Sequence, residues 1–409
     1  MGLMKAQEGI VVKKFGGTSV GSIERIEAVA ERILQDTKAG QLPVVVASAM
    51  SGETNRLVRL AADIDPFYRG LAYDMLLASG EQVSIALLAM ALEKRGLKAI
   101  PLLAYQVGIQ TDSIFSKARI QEVKGQRLLE LVKQGIIPVV AGFQGVTIDD
   151  RITTLGRGGS DTTAVALAAS LGCEACEIYT DVPAVYTADP RLVPKAQEIP
   201  VLSFEEMMEM ASLGSKVLHF RCVELAVKFG VKIHVRSTFE RREGTWVVPE
   251  GERMEAPVVS SVTHDAQTVV FKIFPVPFGP GFLAQLFERL AEKGVVVDII
   301  TQSQNEEGQR LAFSVNEEDR PLAEQVLRQQ VEDHSQIVVM DQMAKISTVG
   351  VGMRNHPGVA SRFFKVLHDL EVPVHLVTTS EIKISAVIDK SNLEVAARAL
   401  HQAFSLEES

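Results

Sequence analysis

Cysteine is scarce in this chain, with three among 409 residues. So small and odd a count cannot form a disulfide framework and points to a reducing compartment. A basic excess is also lacking. Lys and Arg number 42 against 51 Asp and Glu, a formal net charge of −9. Such a balance offers no overall footprint for a nucleic-acid backbone or an anionic membrane, so an anionic ligand has to be held by a local site. No apolar run approaches the roughly 18 residues of a membrane span, and Met1 to Gly9 lacks the charged-then-apolar order of a signal peptide. These absences predict a cytoplasmic protein with neither nucleic acid nor membrane as partner. Metal-ligand spacing is missing too. Cys173 and Cys176 have the separation of half a zinc or redox site, but there is no second pair and Cys222 is remote, so all three read as buried packing residues. His219, His234, His264, His356 and His375 show no ligand spacing, and no protein-held metal is expected.

What is present is an ordinary globular composition, 46% hydrophobic and 23% charged, for which disorder is not the default. The length suggests two or three domains. Over residues 1–240 short β-branched runs alternate with amphipathic stretches, the pattern of an α/β domain with a mostly parallel, doubly covered sheet. Strands are expected at Ile10–Phe15, Pro43–Ala49, Lys98–Ala104, Ile136–Phe143, Ala175–Thr180 and Lys232–Arg236. Helices are expected near Ile23–Lys38, Leu71–Arg95, Lys117–Gln134, Asp161–Leu171, Phe204–Met210 and Val217–Phe229. A charged, Gly/Pro-punctuated linker is placed at 241–264. Beyond it the chain repeats itself. Aligning Pro280-Gly281 with Pro357-Gly358 sets an offset of 77 that also pairs Phe287 with Phe364, Leu290 with Leu367, Val297 with Val374 and Thr301 with Thr378. The offset then falls to 71, pairing Ser314 with Ser385, because the first copy carries six more residues around Asn305–Arg310. Each copy reads strand, Pro-Gly turn, amphipathic helix, strand, hairpin, strand. Two small α+β units, at 265–340 and 341–409 and packed on each other, follow from this.

Three motifs bear chemistry. Lys14-Phe15-Gly16-Gly17-Thr18-Ser19 leaves the first strand and enters a helix. Glycines there let backbone N–H groups approach phosphate oxygens, and a neighbouring lysine can neutralise a migrating phosphoryl group. Because the lysine precedes the glycines, this is not a Walker A loop. Thr154-Leu155-Gly156-Arg157-Gly158-Gly159-Ser160-Asp161 gathers glycines, an arginine and an acidic first turn at one helix N-terminus, a place that favours anions. Capping by Asp161 accounts for the acid but leaves Arg157 between glycines unexplained. Thr180-Asp181, followed by Tyr186 to Arg191, leaves a strand end and suits a nucleotide base and ribose, although Asp189-Pro190 is equally a turn. Glu81 stands out as a lone acid in the apolar stretch Leu76–Leu92, just after Ser79-Gly80.

Taken in order, these motifs, with Ser48-Ala49-Met50, Ser79-Gly80-Glu81, Ala141-Gly142-Phe143-Gln144-Gly145 and Gly214-Ser215-Lys216, closely resemble aspartate kinase. The C-terminal repeat resembles the tandem ACT regulatory domains of that family's single-function members, and the resemblance spans about Ile10 to Phe404. It implies an amino-acid-kinase-type three-layer αβα sandwich followed by two α+β ACT units. It further implies MgATP and phosphorylation of the aspartate β-carboxylate to 4-phospho-L-aspartate, toward lysine, threonine and methionine. By the same resemblance Lys14 stabilises the transferred group, Phe15, Gly16 and Gly17 lie along the phosphates, and Asp161 orients the lysine or metal-bound water. Arg157 takes the α-carboxylate of aspartate and Glu81 its α-amino group, with Ser48, Thr54 and Ser160 nearby. Thr180, Asp181, Tyr186, Arg191, Lys216 and Val217 would line the nucleotide. The chemistry agrees: an aspartate carboxylate, with a reference pKa near 3.9, is ionised at pH 7, so no Ser-His or Cys-His pair is required.

Resemblance also implies a homo-oligomer with lysine or threonine as feedback effectors where ACT units of different chains pair. Gly279, Phe282, Leu283, Asp298 and Gln302 are the contacts in the first unit, and Thr379, Ser380 and Glu381 in the second. Two departures stand out. Phe278 occupies a position where relatives carry an Asp able to pair with an effector ammonium, which puts lysine sensitivity in doubt. Pro183-Ala184 replaces a usual Asp-Gly. A kinase acting on glutamate or N-acetylglutamate, or an inactive amino-acid-sensing subunit, are the competing readings. The ordered Lys14, Glu81 and Arg157 motifs with tandem ACT units argue against the first, and intact Lys14, Arg157, Asp161 and Lys216 against the second. Met254 could also start a shorter regulatory polypeptide.

Overall fold

A computed structural model describes residues 9–215, 217–252, 257–276, 280–305, 308–331, 333 and 336–407. Lys216, Met254, Phe278 and Gly279 lie outside the described residues. The chain packs as two units: residues 1–185, 198–212 and 216–254 form one, and residues 186–197, 213–215 and 255–409 the other.

In chain order the first unit contains β1 (Ile10–Phe15), α1 (Ile23–Lys38), β2 (Leu42–Ala47), α2 (Glu53–Ile64), α3 (Leu71–Glu93), β3 (Lys98–Leu102), α4 (Ala104–Val107), β4 (Ile109–Thr111), β5 (Ile120–Val123) and α5 (Gln126–Lys133). It continues with β6 (Ile136–Ala141), β7 (Gln144–Val146), β8 (Ile152–Thr154), α6 (Gly159–Ser170), β9 (Ala175–Thr180), β10 (Val201–Ser203), α7 (Phe204–Ser212), α8 (Phe220–Phe229), β11 (Lys232–Ser237) and β12 (Thr245–Val248). The main sheet runs β10-β12-β11-β9-β1-β2-β6-β3. Its pairs are parallel except β11 with β12.

Alternation along β1 sorts its side chains to two faces. Phe15 packs with α1 and α3 through Ile26, Ile33, Ile85 and Leu88, while Lys14 points to α6, where its ammonium meets Asp161. Helices therefore cover both faces, as a mostly parallel sheet requires. The α1 start is set by Ser22, whose side chain accepts the Arg25 N–H at 3.3 Å. Every residue of α6 is buried, its Gly, Ser, Thr and Ala content letting it lie close to the sheet.

The apolar helix α3 is long and apolar enough to cross a membrane, with a mean hydropathy of 1.6 over its best window. This corrects the expectation that no stretch approaches that length. Asp74 and Glu81 interrupt the run, so no continuous apolar segment stands out, yet the average remains high. Both acids are buried inside the first unit, which makes α3 a core helix.

Where a helix was expected over Lys117–Gln134, the chain forms β5, turns at Gly125 with φ +29, and only then enters α5. With β4, β7 and β8, β5 builds a second sheet ordered β5-β4-β7-β8.

The second unit contains β13 (Ser261–Val276), α9 (Pro280–Glu292), β14 (Val297–Asn305), β15 (Gly308–Asn316), α10 (Arg320–Gln330), β16 (Ile337–Val349), α11 (Val359–Asp369), β17 (Val374–Thr379), β18 (Lys383–Asp389) and α12 (Leu393–Ala403). Its antiparallel sheet is ordered β14-β15-β13-β16-β18-β17. The repeat is visible as α9, β14, β15 and α10 matched by α11, β17, β18 and α12, a second helix per copy that the sequence pattern had not shown. One core gathers Phe271, Leu286, Leu290, Phe313 and Leu327, the other Ile346, Phe363, Leu367, Ile384 and Leu400. The central strands β13 and β16 serve both copies. Segment 186–197 joins this unit because Ala188 and Val193 are buried in the second core and Thr187 Oγ1 lies 2.8 Å from His401 Nε2.

Candidate active site

The carboxyl ends of β1, β2, β6 and β9 lie side by side, where open parallel sheets bind ligands. From β1 emerges Lys14, 9% exposed, its Nζ 2.5 Å from Asp161 Oδ1 in the first turn of α6. After it the chain turns through Gly16, whose N–H donates to the Tyr179 carbonyl at 3.2 Å. Gly17 passes so near the β2 loop that a Cβ there would stand 2.8 Å from the Ala49 carbonyl oxygen. The Phe15 ring is fully buried and stacked on Tyr179 at 4.7 Å, and its carbonyl accepts the Ser48 N–H at 3.1 Å, so this residue holds the turn rather than a ligand.

Across from this turn, Ser48 and Ala49 at the end of β2 are tied to α3. Ser84 Oγ donates to the Ser48 carbonyl at 2.7 Å, and the Ala49 N–H donates to Glu81 Oε1 at 3.1 Å. Glu81 Oε2 is buried with no hydrogen-bond partner among the described residues, and burial pushes the carboxyl up to about 8. A desolvated carboxylate with one bare oxygen is a receptor for a cation with N–H donors. Thr54 sits half-buried in the first turn of α2.

Arg157 is exposed on the loop from β8 to α6, flanked by Gly156 at φ +77 and Gly158 at φ +68. A Cβ on Gly158 would meet His219 Cβ at 2.1 Å, so only glycine fits. Burial lowers the His219 pKa against the opposing field of Asp161. Ser160 is buried at the start of α6, against Gly142 at the end of β6.

On the nucleotide side, Thr180 ends β9 between β1 and β11, its Oγ1 donating to Asp181 Oδ1 at 3.1 Å. Val217 is half-buried, and Lys216 lies outside the described residues. Tyr186 and Arg191 belong to the second unit, where the exposed Arg191 guanidinium lies 2.7 Å from Asp189 Oδ2. The first unit therefore does not gather all the expected nucleotide residues. Their spacing after β9 said nothing of the core that Ala188 and Val193 would join. Pro183 and Ala184 precede that segment, Ala184 being fully buried.

Cys173, Cys176 and Cys222 are buried free thiols. Burial pushes Cys173 up to about 11 and the other two upward, which makes them poor nucleophiles. Among the described residues no three His, Cys, Asp or Glu side chains form a metal-holding group.

In the second unit Asp298 and Gln302 lie on edge strand β14, with Asp298 paired to the buried Lys345. Phe282 and Leu283 pack partly into the first core. Thr379 ends the other edge strand, β17. Ser380 and Glu381 follow in its hairpin, Glu381 lying 3.2 Å from Arg354.

Two side chains not singled out from the sequence brace the Arg157 loop: Asp74 of α3 and Arg221 of α8. Asp74 carried the same signal as Glu81, a lone acid in an apolar helix, seven residues earlier.

Residues 9–237 match the Amino acid kinase family, and residues 346–404 match the ACT domain. The chain is 46% identical over 406 residues to an aspartate kinase of Pseudomonas fluorescens, covering 97% of this chain and 98% of the relative. Among solved structures, E. coli aspartokinase III in complex with aspartate and ADP matches with a TM-score of 0.81 at 26% identity, covering 96% of this chain and 99% of that one. The same enzyme in complex with lysine and aspartate matches at 0.79 and 27%, covering 97% and 100%.

Proposed function

The chain belongs to the aspartate kinase family, and from that premise we propose how its residues transfer the γ-phosphoryl group of ATP to the β-carboxylate of L-aspartate, giving 4-phospho-L-aspartate. The nucleophile is already ionised at pH 7, so the site supplies positive charge and position rather than a base. Lys14 stabilises the charge on the transferring group and Asp161 holds its ammonium, while the turn through Gly16 and Gly17 lies along the phosphates with the Gly17 N–H as donor, that of Gly16 being taken by the Tyr179 carbonyl. Arg157 takes the aspartate α-carboxylate with its planar fork. Glu81 takes the α-ammonium, with Ser48, Thr54 and Ser160 around the substrate, while Thr180, Asp181, Lys216 and Val217 line the nucleotide. The observation that carries this reading is the bare, buried Oε2 of Glu81 beside the Ser48–Ala49 backbone.

Magnesium, when bound with ATP, would supply charge neutralisation on the phosphates. Asp161 and Asp181 are the carboxylates that would hold it, directly or through water. ACT units confer feedback control, with lysine, threonine or both as effectors at Gly279, Phe282, Leu283, Asp298, Gln302, Thr379, Ser380 and Glu381, in a homo-oligomer joined through these units. A lysine complex of the E. coli enzyme supports the effector class. Phe278 in place of a carboxylate weakens lysine inhibition in this chain, and strong inhibition at saturating lysine would overturn that statement. Three buried, unpaired thiols support a cytoplasmic location.

Steady-state kinetics test the assignment. Lys14→Ala should lose kcat by at least about 100-fold with the KM for ATP little changed. Arg157→Ala should raise the KM for aspartate more than about tenfold with the KM for ATP unmoved. Near-normal turnover of the first, or an unaltered aspartate KM of the second, removes that residue from its role.

A further inference from the structure

Asp74 is fully buried on α3, and its hydrogen bonds among the described residues go to Ser116 and Thr154, neither of them assigned to substrate. Its carboxylate instead ties two backbone segments together. Oδ2 accepts the Thr154 N–H at 2.7 Å, and the Ser116 N–H reaches Oδ1 at 3.0 Å and Oδ2 at 2.9 Å. Ser116 Oγ adds a longer bond to Oδ1 at 3.3 Å. Thr154 is three residues before Arg157, and Ser116 lies where a Cβ on Gly156 would meet its carbonyl oxygen at 3.1 Å. From the other side Arg221 donates to the Leu155 carbonyl, and to that of Ala118 at 2.9 Å. The Arg157 loop is thus gripped through its backbone by a buried anion and a half-buried cation on two different helices. Asp74 and Glu81 are seven residues apart on α3, two helical turns on one face or about 10 Å.

We infer that Asp74 is a positioning residue of the phosphotransfer site. With Glu81 on the same rigid helix, it fixes the spacing between the group that takes the aspartate ammonium and the loop whose arginine takes the α-carboxylate. The inference rests on the reading that Arg157 binds that carboxylate. Bonds from N–H groups to a buried carboxylate are charge-assisted and short, so they define the loop position tightly. Nothing of this requires Asp74 to touch substrate.

Asp74→Asn keeps the side-chain shape. Whichever way the amide lies, its NH2 faces the Ser116 N–H within 3.0 Å, donor against donor. The expected result is a rise of about tenfold in the KM for aspartate with the KM for ATP within about twofold. A merely structural residue would not show a further property, non-additivity with Arg157. In an Arg157→Ala background, itself raised in aspartate KM, Asp74→Asn should add less than about twofold. A full tenfold effect in that background overturns the inference. So does an unaltered aspartate KM in Asp74→Asn alone while Arg157→Ala raises it, a result that leaves the Arg157 reading standing. No effect of Arg157→Ala overturns both. If Asp74→Asn does not fold, Ser116→Ala removes one donor and leaves the backbone intact. It should raise the aspartate KM about threefold and show the same non-additivity, and a normal KM there overturns the inference.

Discussion

Aspartate binding should release a proton from Glu81. In the free site burial holds this carboxyl at about 8 against 4.5 for an exposed glutamate, so at pH 7 the Glu81 side chain is mostly protonated. An ammonium seated against the bare Oε2 favours the ionised form and drives that proton off. Calorimetric titration with aspartate at pH 7, in two buffers of different ionisation enthalpy, should therefore report net proton release on binding, with the release smaller at pH 8.5 than at pH 7. Glu81→Gln should abolish the buffer dependence and most of the affinity. Stability provides a second readout with a fixed sign. Between pH 4.5 and 8 the folded state holds a proton that the unfolded state has lost, so Glu81 makes stability fall as pH rises through that window, by at most about 1.4 kcal/mol per pH unit. The unliganded Glu81→Gln protein should lose less stability than wild type between pH 5 and 8. Proton uptake on aspartate binding, or no buffer dependence at pH 7, would refute the reasoning.

Gly158→Ala places a methyl against His219 at a positive φ, so denaturant unfolding should show a loss on the order of 1–3 kcal/mol, and a loss under about 0.5 would contradict the geometry. Phe363 is fully buried in the second core of the regulatory unit. Truncation to Ala should cost about 3–5 kcal/mol in that unit's unfolding, read as an earlier calorimetric transition, and an unmoved transition would contradict the packing. Cys173, Cys176 and Cys222, buried with raised pKa values, should resist alkylation at pH 8 in the native protein and react within minutes once it is unfolded in denaturant. Rapid native labelling would show a thiol is accessible.

The elements read most directly from sequence are those whose own residues determine them. Ile10–Phe15 and Ala175–Thr180 are short, mostly apolar runs, interrupted by Lys13, Lys14 and Glu177 and stopped by small or polar residues, and Ile23–Lys38 is an amphipathic stretch capped by Ser22. Their bounds match the structure. Short strands fared differently. β4, β7 and β8 have three residues each, too few for a period of two to show, and exist because they pair with one another. The helices α10 and α12 lie outside the residues that carry the repeat, which sit in the first helix and the strands of each copy. Segment 186–197 carries aromatic and charged residues that suit a ligand. Its place in the second unit depends on which distant side chains Ala188 and Val193 pack against, information that no local pattern holds. In the site, Glu81 could be found because an acid inside an apolar helix is costly without a partner. The same reasoning applied to Asp74 needed the backbone N–H groups of Ser116 and Thr154, which only the folded chain brings together.

Trapping the acyl phosphate tests the central claim most directly. The purified chain, incubated with ATP, magnesium and hydroxylamine, should form aspartyl hydroxamate with L-aspartate at a rate far above that with glutamate or N-acetylglutamate, and Lys14→Ala should form almost none. Absence of aspartyl hydroxamate from the wild-type chain, or an equal yield with glutamate, would contradict it.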